Sequence, residues 1–133
     1  MSLKIADARV KELLGHSSLS NPEWVRPYFP DWVEQINSTL VIIEYENSSR
    51  GMLTHVSKYL KLSRDNSGVT FDVHLVESQH HQANHRQDRE LSMFLATLRS
   101  SNITFTFHAC NGSEDALIRV RDDAVIKKNR LVY

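Results

Sequence analysis

Apolar and polar positions recur along this chain with two different periods, and the changes of period divide it into elements. Residues 3–15 place Leu3, Ile5, Ala8, Val10, Leu13 and Leu14 in a loose helical pattern that Gly15 ends. Ser17 to Asn21 reads as a polar joint. The stretch from Asn21 to Trp32 holds Pro22, Pro27 and Pro30, which rule out a long helix, and Pro22 suits the first helical position after an Asn21 cap. Its four aromatic side chains, Trp24, Tyr28, Phe29 and Trp32, are expected to fold onto the core, with an aromatic docking surface as the other reading. Leu40 to Tyr45 is continuously apolar apart from Glu44 and rich in β-branched residues, as in a central strand covered on both faces.

Ser48 or Ser49 then caps a helix that lines up Met52, Leu53, Val56, Tyr59 and Leu60, and Asn66-Ser67-Gly68 breaks it. Val69, Phe71, Val73 and Leu75 alternate with Thr70, Asp72 and His74, the period of a strand. Asn84 to Gln87 has the spacing of a capping box. The helix after it sets Leu91, Phe94, Leu95 and Leu98 at i, i+3, i+4 and i+7, an apolar stripe expected to cover the sheet. Ile103, Phe105, Phe107 and Ala109 alternate with Thr104, Thr106 and His108 in a third strand. Leu117 to Arg121 and Ala124 to Lys127 read as two short strands around an Asp122-Asp123 turn. Strand–helix–strand units imply parallel pairing through right-handed crossovers. The expected fold class is therefore α/β, a three-stranded parallel βαβαβ core with an added antiparallel hairpin. Residues 1–20 are assigned to an N-terminal helix or a leader. Residues 21–133 are assigned to a single α/β domain, which reads as truncated at its C-terminus because Tyr133 ends a patterned segment.

A length of 133 residues fits one domain, and 41% hydrophobic with 24% charged residues excludes disordered and fibrous classes. Sixteen basic residues balance sixteen acidic ones, so there is no overall field to hold nucleic acid or an anionic membrane. The single cysteine, Cys110, has no internal disulfide partner, which suits a reducing compartment, and its β-rich setting makes it a small buried hydrophobe. No apolar run approaches the ~20 residues that span a bilayer. The expected location is cytoplasmic.

Ligands of open parallel sheets bind beyond the carboxyl ends of the strands. Those ends supply Asn47, Glu77, Ser78, His108 and Asn111 as candidate contacts, with Arg50 at the following helix. Arg119 and Arg121 would alternate onto one face of the hairpin and donate to phosphate oxygens, although Glu114, Asp115, Asp122 and Asp123 lie close by in sequence and offer neutralisation. His81 and His85 in the loop from His80 to His85 have the four-residue spacing of a metal pair on a helix, but no third ligand is evident and the helix is expected to begin after Asn84. His108 and Cys110 share a strand face without a third group to orient them. There is no Gly-rich phosphate loop, nucleophile elbow or paired-cysteine motif. No cofactor, catalytic residue or metal is assigned.

The segments Trp24 to Phe29, Leu40 to Asn47 and Val73 to Ser78 resemble the phospholipase-D-like domain found C-terminal to MIT (microtubule-interacting and trafficking) domains. The order of the later helix, strand and hairpin is similar too. The resemblance covers about residues 22–133 and is more topological than motif-based. Two positions depart from it. Tyr45-Glu46-Asn47 replaces the family's first-strand turn, and Glu114-Asp115-Ala116 falls where phospholipase-D enzymes carry His-x-Lys. The resemblance implies that phosphodiesterase catalysis is lost.

The favoured reading is a non-catalytic binding or interaction domain that recognises a protein partner or a phosphate-bearing ligand; homodimerisation is among the partner readings. A second is a divergent hydrolase using His108 with Glu77, or a metal enzyme using the His80 to His85 loop. A third is a sensor or oligomerisation module of a larger ATPase or protease.

Overall fold

The computed structural model describes residues 4–15, 30–78 and 86–130, with the side chains of Ser49, Arg86 and residues 127–130 left out. The elements run α1 (Asp7–Leu14), β1 (Trp32–Ile36), β2 (Thr39–Glu46), α2 (Ser49–Asp65), β3 (Thr70–Glu77), α3 (Arg86–Ala96), β4 (Ile103–Ala109) and α4 (Glu114–Arg130). One mixed sheet has the order β1-β2-β3-β4. β2, β3 and β4 are parallel, with Ile42 opposite Val73 and Val73 opposite Phe105. β1 is antiparallel to β2 through a turn at Asn37-Ser38, where Asn37 takes a positive φ of 57° that asparagine tolerates. The three parallel strands lie in chain order, so their two crossover helices fall on the same face.

Two hydrophobic layers result. On one face Leu40, Ile42, Phe71, Val73, Leu75 and Ile103 meet Met52, Val56 and Tyr59 of α2 and Ala96 of α3. On the other, Val41, Ile43, Tyr45 and Val76 meet Val10 and Leu14 of α1 and Leu117 and Ala124 of α4. β2 contributes to both layers, which is why its sequence is almost unbroken apolar. Ser48 caps α2 through the Gly51 N–H at 3.1 Å. Gly15, with φ 76°, ends α1, as its position predicts.

The C-terminal hairpin is not formed. Residues 114–130 are the single helix α4. Leu117, Val120 and Ala124 stand at i, i+3 and i+7 and bring one stripe onto the sheet. Ser113 receives the Ala116 N–H on its hydroxyl at 3.1 Å, and Glu114 and Asp115 occupy the first turn, where acidic groups favour the helix dipole. Asp122 and Asp123 are exposed positions on this helix rather than a turn. α1 and α4 are tied together at both ends. Arg9 forks onto Glu114 at 2.9 and 3.0 Å, and Arg121 Nη1 donates to the Leu13 and Leu14 carbonyls at 3.0 Å.

β1 was not anticipated as a strand, and its Trp32 is buried as expected of that aromatic; Trp24, Tyr28 and Phe29 lie outside the described residues. The stripe expected on α3 is met in part, since Leu95 packs against the core. Ser92 is the residue fully buried there, its hydroxyl satisfied by the Asp88 carbonyl at 2.8 Å, whereas Leu91, Phe94 and Leu98 are 46%, 59% and 51% exposed. Among the described residues, no helix is long and apolar enough to cross a membrane.

Candidate functional site

Side chains alternate across each strand, so the polar residues of β3 and β4 divide between two faces. On the α4 face, Asp72, His74, Thr104, Thr106 and His108 come together, and His74 is the direct neighbour of Thr106. Thr104 donates to Asp72 Oδ1 at 3.1 Å, Asp72 Oδ2 lies 3.1 Å from His74 Nε2, and His74 Nδ1 lies 3.0 Å from His108 Nε2. The two rings stack with centroids 5.3 Å apart. When both imidazoles are neutral, the donors and acceptors of this row are determined. His74 Nε2–H donates to Asp72, His108 Nε2–H donates to His74 Nδ1, and His108 Nδ1 is left as an acceptor. Burial, and then the neighbouring His74, lower the His108 pKa to about 4, so His108 is uncharged at neutral pH.

Above this row is a cavity of about 330 Å³ between the sheet and α4. His74, Thr106 and His108 line its sheet side, and Ala116, Arg119, Val120, Asp123 and Ala124 its helix side. The volume falls within the range of small-ligand pockets.

On the opposite face, buried Glu44 is the centre of a second cluster. Its Oε2 accepts from Lys58 Nζ at 2.7 Å and Tyr59 OH at 2.9 Å and lies 3.2 Å from His55 Nδ1, while its Oε1 accepts the Asp31 N–H at 3.1 Å. His55 Nε2 is 3.3 Å from Glu46 Oε2. Burial opposes ionisation of Glu44, but His55 and Lys58 outweigh it and hold its pKa at about 2. Burial likewise opposes protonation of His55, but Glu44 and Glu46 outweigh it and raise its pKa to about 9. Asp31 moves the other way, to about 6, chiefly through burial and against the Tyr45 N–H it accepts at 2.7 Å. Glu44 and Glu46 are occupied by His55 and Lys58 of α2, so the cluster fastens α2 to the sheet.

A Cβ added at Gly51 would run into the Glu46 carboxyl. Gly51→Ala is therefore expected to displace Glu46 from His55 and to lower the His55 pKa from about 9, with Glu44 still holding it above the usual histidine value. An NMR titration of the His55 ring reads this directly. An unchanged midpoint would show that Glu46 contributes nothing to the His55 charge.

The residues singled out in the sequence are scattered. His108 and Arg119 meet at the cavity. Arg121 does not join them, because on a helix two positions differ by about 200° and it binds the end of α1 instead. Glu77 and His108 project from opposite faces, since His108 is paired with Val76 and Glu77 with Ala109. Glu77 forms an ion pair with Arg89 at 3.1 Å, which removes the His108–Glu77 hydrolase pair. Ser78 is buried. Asn47 Nδ2 reaches the Ile5 carbonyl at 3.5 Å, and its buried Oδ1 has no hydrogen-bond partner among the described residues. Arg50 is exposed, 3.9 Å from Asp88. Asn111 is an exposed turn residue with φ 51°, and Cys110 is buried. His81 and His85 lie outside the described residues.

Sequence reasoning missed Asp72, His74 and Asp123 on one face and Glu44, Glu46, His55 and Lys58 on the other. Two signals were present. Glu44 interrupts a buried apolar run, and the polar members of β3 and β4 share a face once the strands are parallel. Comparisons with protein families, with curated proteins and with solved structures returned no match.

Proposed function

We propose that this chain is a non-catalytic interaction domain that associates with a second copy of itself through α3 and β4. The observation that carries this reading is the outward-facing apolar patch of Leu91 and Phe94 on α3 and Leu98 in the turn after it, beside an edge strand whose Phe105 and Phe107 are only partly covered. Large apolar side chains gathered on one helix face mark contact surfaces, and an open strand edge is a template for further pairing. Two-fold antiparallel pairing of β4 about Thr106 would set Phe105 of one copy opposite Phe107 of the other, an aromatic cross-strand pair on the α3 side of the sheet. The balanced formal charge means that two copies meet without net repulsion.

Kinship with the phospholipase-D-like domains named above belongs to the same proposal. The βαβαβ order supports it, whereas α4 stands where that resemblance called for a hairpin. Recognition of phosphate has less support, because Arg121 has turned away from Arg119 and Asp123 lines the same cavity.

Analytical ultracentrifugation across a concentration series is expected to show the mass of two chains. Phe94→Glu with Leu98→Glu is expected to return the monomer without lowering Tm, since both side chains are already exposed. A wild-type chain that stays monomeric throughout the series, or a dimer untouched by the double substitution, would overturn the proposal.

A further inference from the structure

The cavity under α4 brings together groups that the self-association surface does not use. Arg119 and Asp123 are one helical turn apart on α4 and both line it. Neither makes an ion pair or hydrogen bond among the described residues, although i and i+4 neighbours of opposite sign are within reach of each other. The cavity therefore has a cation and an anion available side by side. Its sheet side is the His74–His108 row, with half-buried His108 ending the chain of hydrogen bonds that runs from Thr104 through Asp72 and His74. Between these polar groups, Ala116, Val120 and Ala124 form a short apolar wall.

We infer that this cavity is a binding site for a small zwitterion, an α-amino acid with a short apolar side chain. The ligand carboxylate pairs with the Arg119 guanidinium, whose planar fork matches it. The ligand ammonium has two acceptors, the Asp123 carboxylate and His108 Nδ1. The side chain lies against Ala116, Val120 and Ala124. A phosphate dianion fits less well, because Asp123 sits next to the single guanidinium that would receive it. An amine without a carboxylate, or a carboxylate without an amine, leaves one of the two charges at the cavity unanswered. With both imidazoles neutral, the Asp72–His74–His108 row serves as a positioning device: it uses His108 Nε2–H internally and so presents Nδ1 to the ligand as an acceptor. The uncharged state of His108 at neutral pH agrees with that role.

The test is calorimetric titration of the whole chain with L-valine, N-acetyl-L-valine, L-valinamide and inorganic phosphate, in parallel with NMR observation of the His108 ring. L-Valine is expected to saturate the protein and shift the His108 resonances. Each blocked form is expected to bind more weakly by roughly tenfold or more, a difference of about 1.4 kcal/mol per factor of ten. Arg119→Gln and Asp123→Asn are each expected to weaken L-valine by a similar factor while leaving Tm unchanged, since both side chains are exposed. Saturation by phosphate alone, equal binding of the blocked forms, unaltered affinity in both variants, or no saturation by L-valine in the millimolar range would each overturn the inference. None of these outcomes bears on self-association, which is read separately by sedimentation of ligand-free protein.

Discussion

Glu44→Gln is expected to destabilise the fold by about 3–5 kcal/mol, the usual cost of removing one member of a buried ion pair, and to lower Tm by about 10 °C or more. Glu44 is 2% exposed and holds Lys58 and His55 in a setting where neither is well hydrated. The glutamine side chain keeps the shape and one carbonyl acceptor but removes the carboxylate shared by Lys58 and His55, leaving Glu46 as the carboxylate on His55. Tyr59 OH and the Asp31 N–H also lose a charged acceptor. Denaturant unfolding of wild type and variant measures the difference. Adding Lys58→Met to Glu44→Gln is expected to restore part of it by removing the ammonium that Glu44 had paired, so the double-mutant cycle should show strong coupling. A loss under about 1 kcal/mol would mean that water reaches the cluster and screens it.

The pH dependence of stability is the second large effect. The folded His55 pKa of about 9 lies above the ordinary value of 6.5, so folding takes up protons between those limits. The resulting stabilisation is fully present below pH 6.5 and disappears as pH rises through about 9. A shift of this size corresponds to about 3 kcal/mol. His55→Asn should remove this alkaline limb, leaving stability flat from pH 6.5 to 9.

Glu44 has the opposite sign. Its pKa is depressed from 4.5 to about 2, so its contribution is present above pH 4.5 and disappears as pH falls through about 2. The two contributions are largely one interaction seen from either partner and do not add. Asp31, raised from 3.8 to about 6, lowers stability as pH rises from 3.8 through 6. His108, lowered from 6.5 to about 4, raises stability as pH rises through nearly the same range and so opposes Asp31; stability is therefore expected to change little between those limits and to decline toward about pH 9 as His55 loses its proton. Urea titrations at intervals across this range trace the curve. A stability unchanged between pH 6.5 and 9.5 would contradict the charged state of His55.

Much of the sheet was legible before any coordinates. Leu40 to Tyr45 had to be covered on both sides, and the alternations from Val69 and from Ile103 had to be strands, because a local period of two depends only on the neighbouring residues. The helical stretch after Ser48 and its stop at Asn66 followed from the same local rules. β1 escaped because it is short and begins at Trp32, the last residue of the proline-rich stretch, while Val33 to Ile36 show no clear period of their own. The C-terminal region was ambiguous at the local level. Leu117, Arg119 and Arg121 satisfy alternation, while Leu117, Val120 and Ala124 satisfy a helix.

By itself, then, the sequence determined the number and direction of the parallel strands, the stop of α2 and its start at one of two serines, and the burial of Cys110. Each of these depends on propensities and periods within a few residues. Tertiary structure decided the remainder. Arg121 binds carbonyls 107 and 108 positions earlier, and that clasp with α1 accompanies the helical choice for α4. His74 and His108 meet across 34 positions because parallel register brings two strands side by side. Leu91, Phe94 and Leu98 face outward because α3 turns Ser92 and Ala96 to the core. The pattern of a helix says that it has an apolar stripe; which neighbour covers that stripe is settled only when the elements pack, since that energy comes from surfaces far apart in the chain.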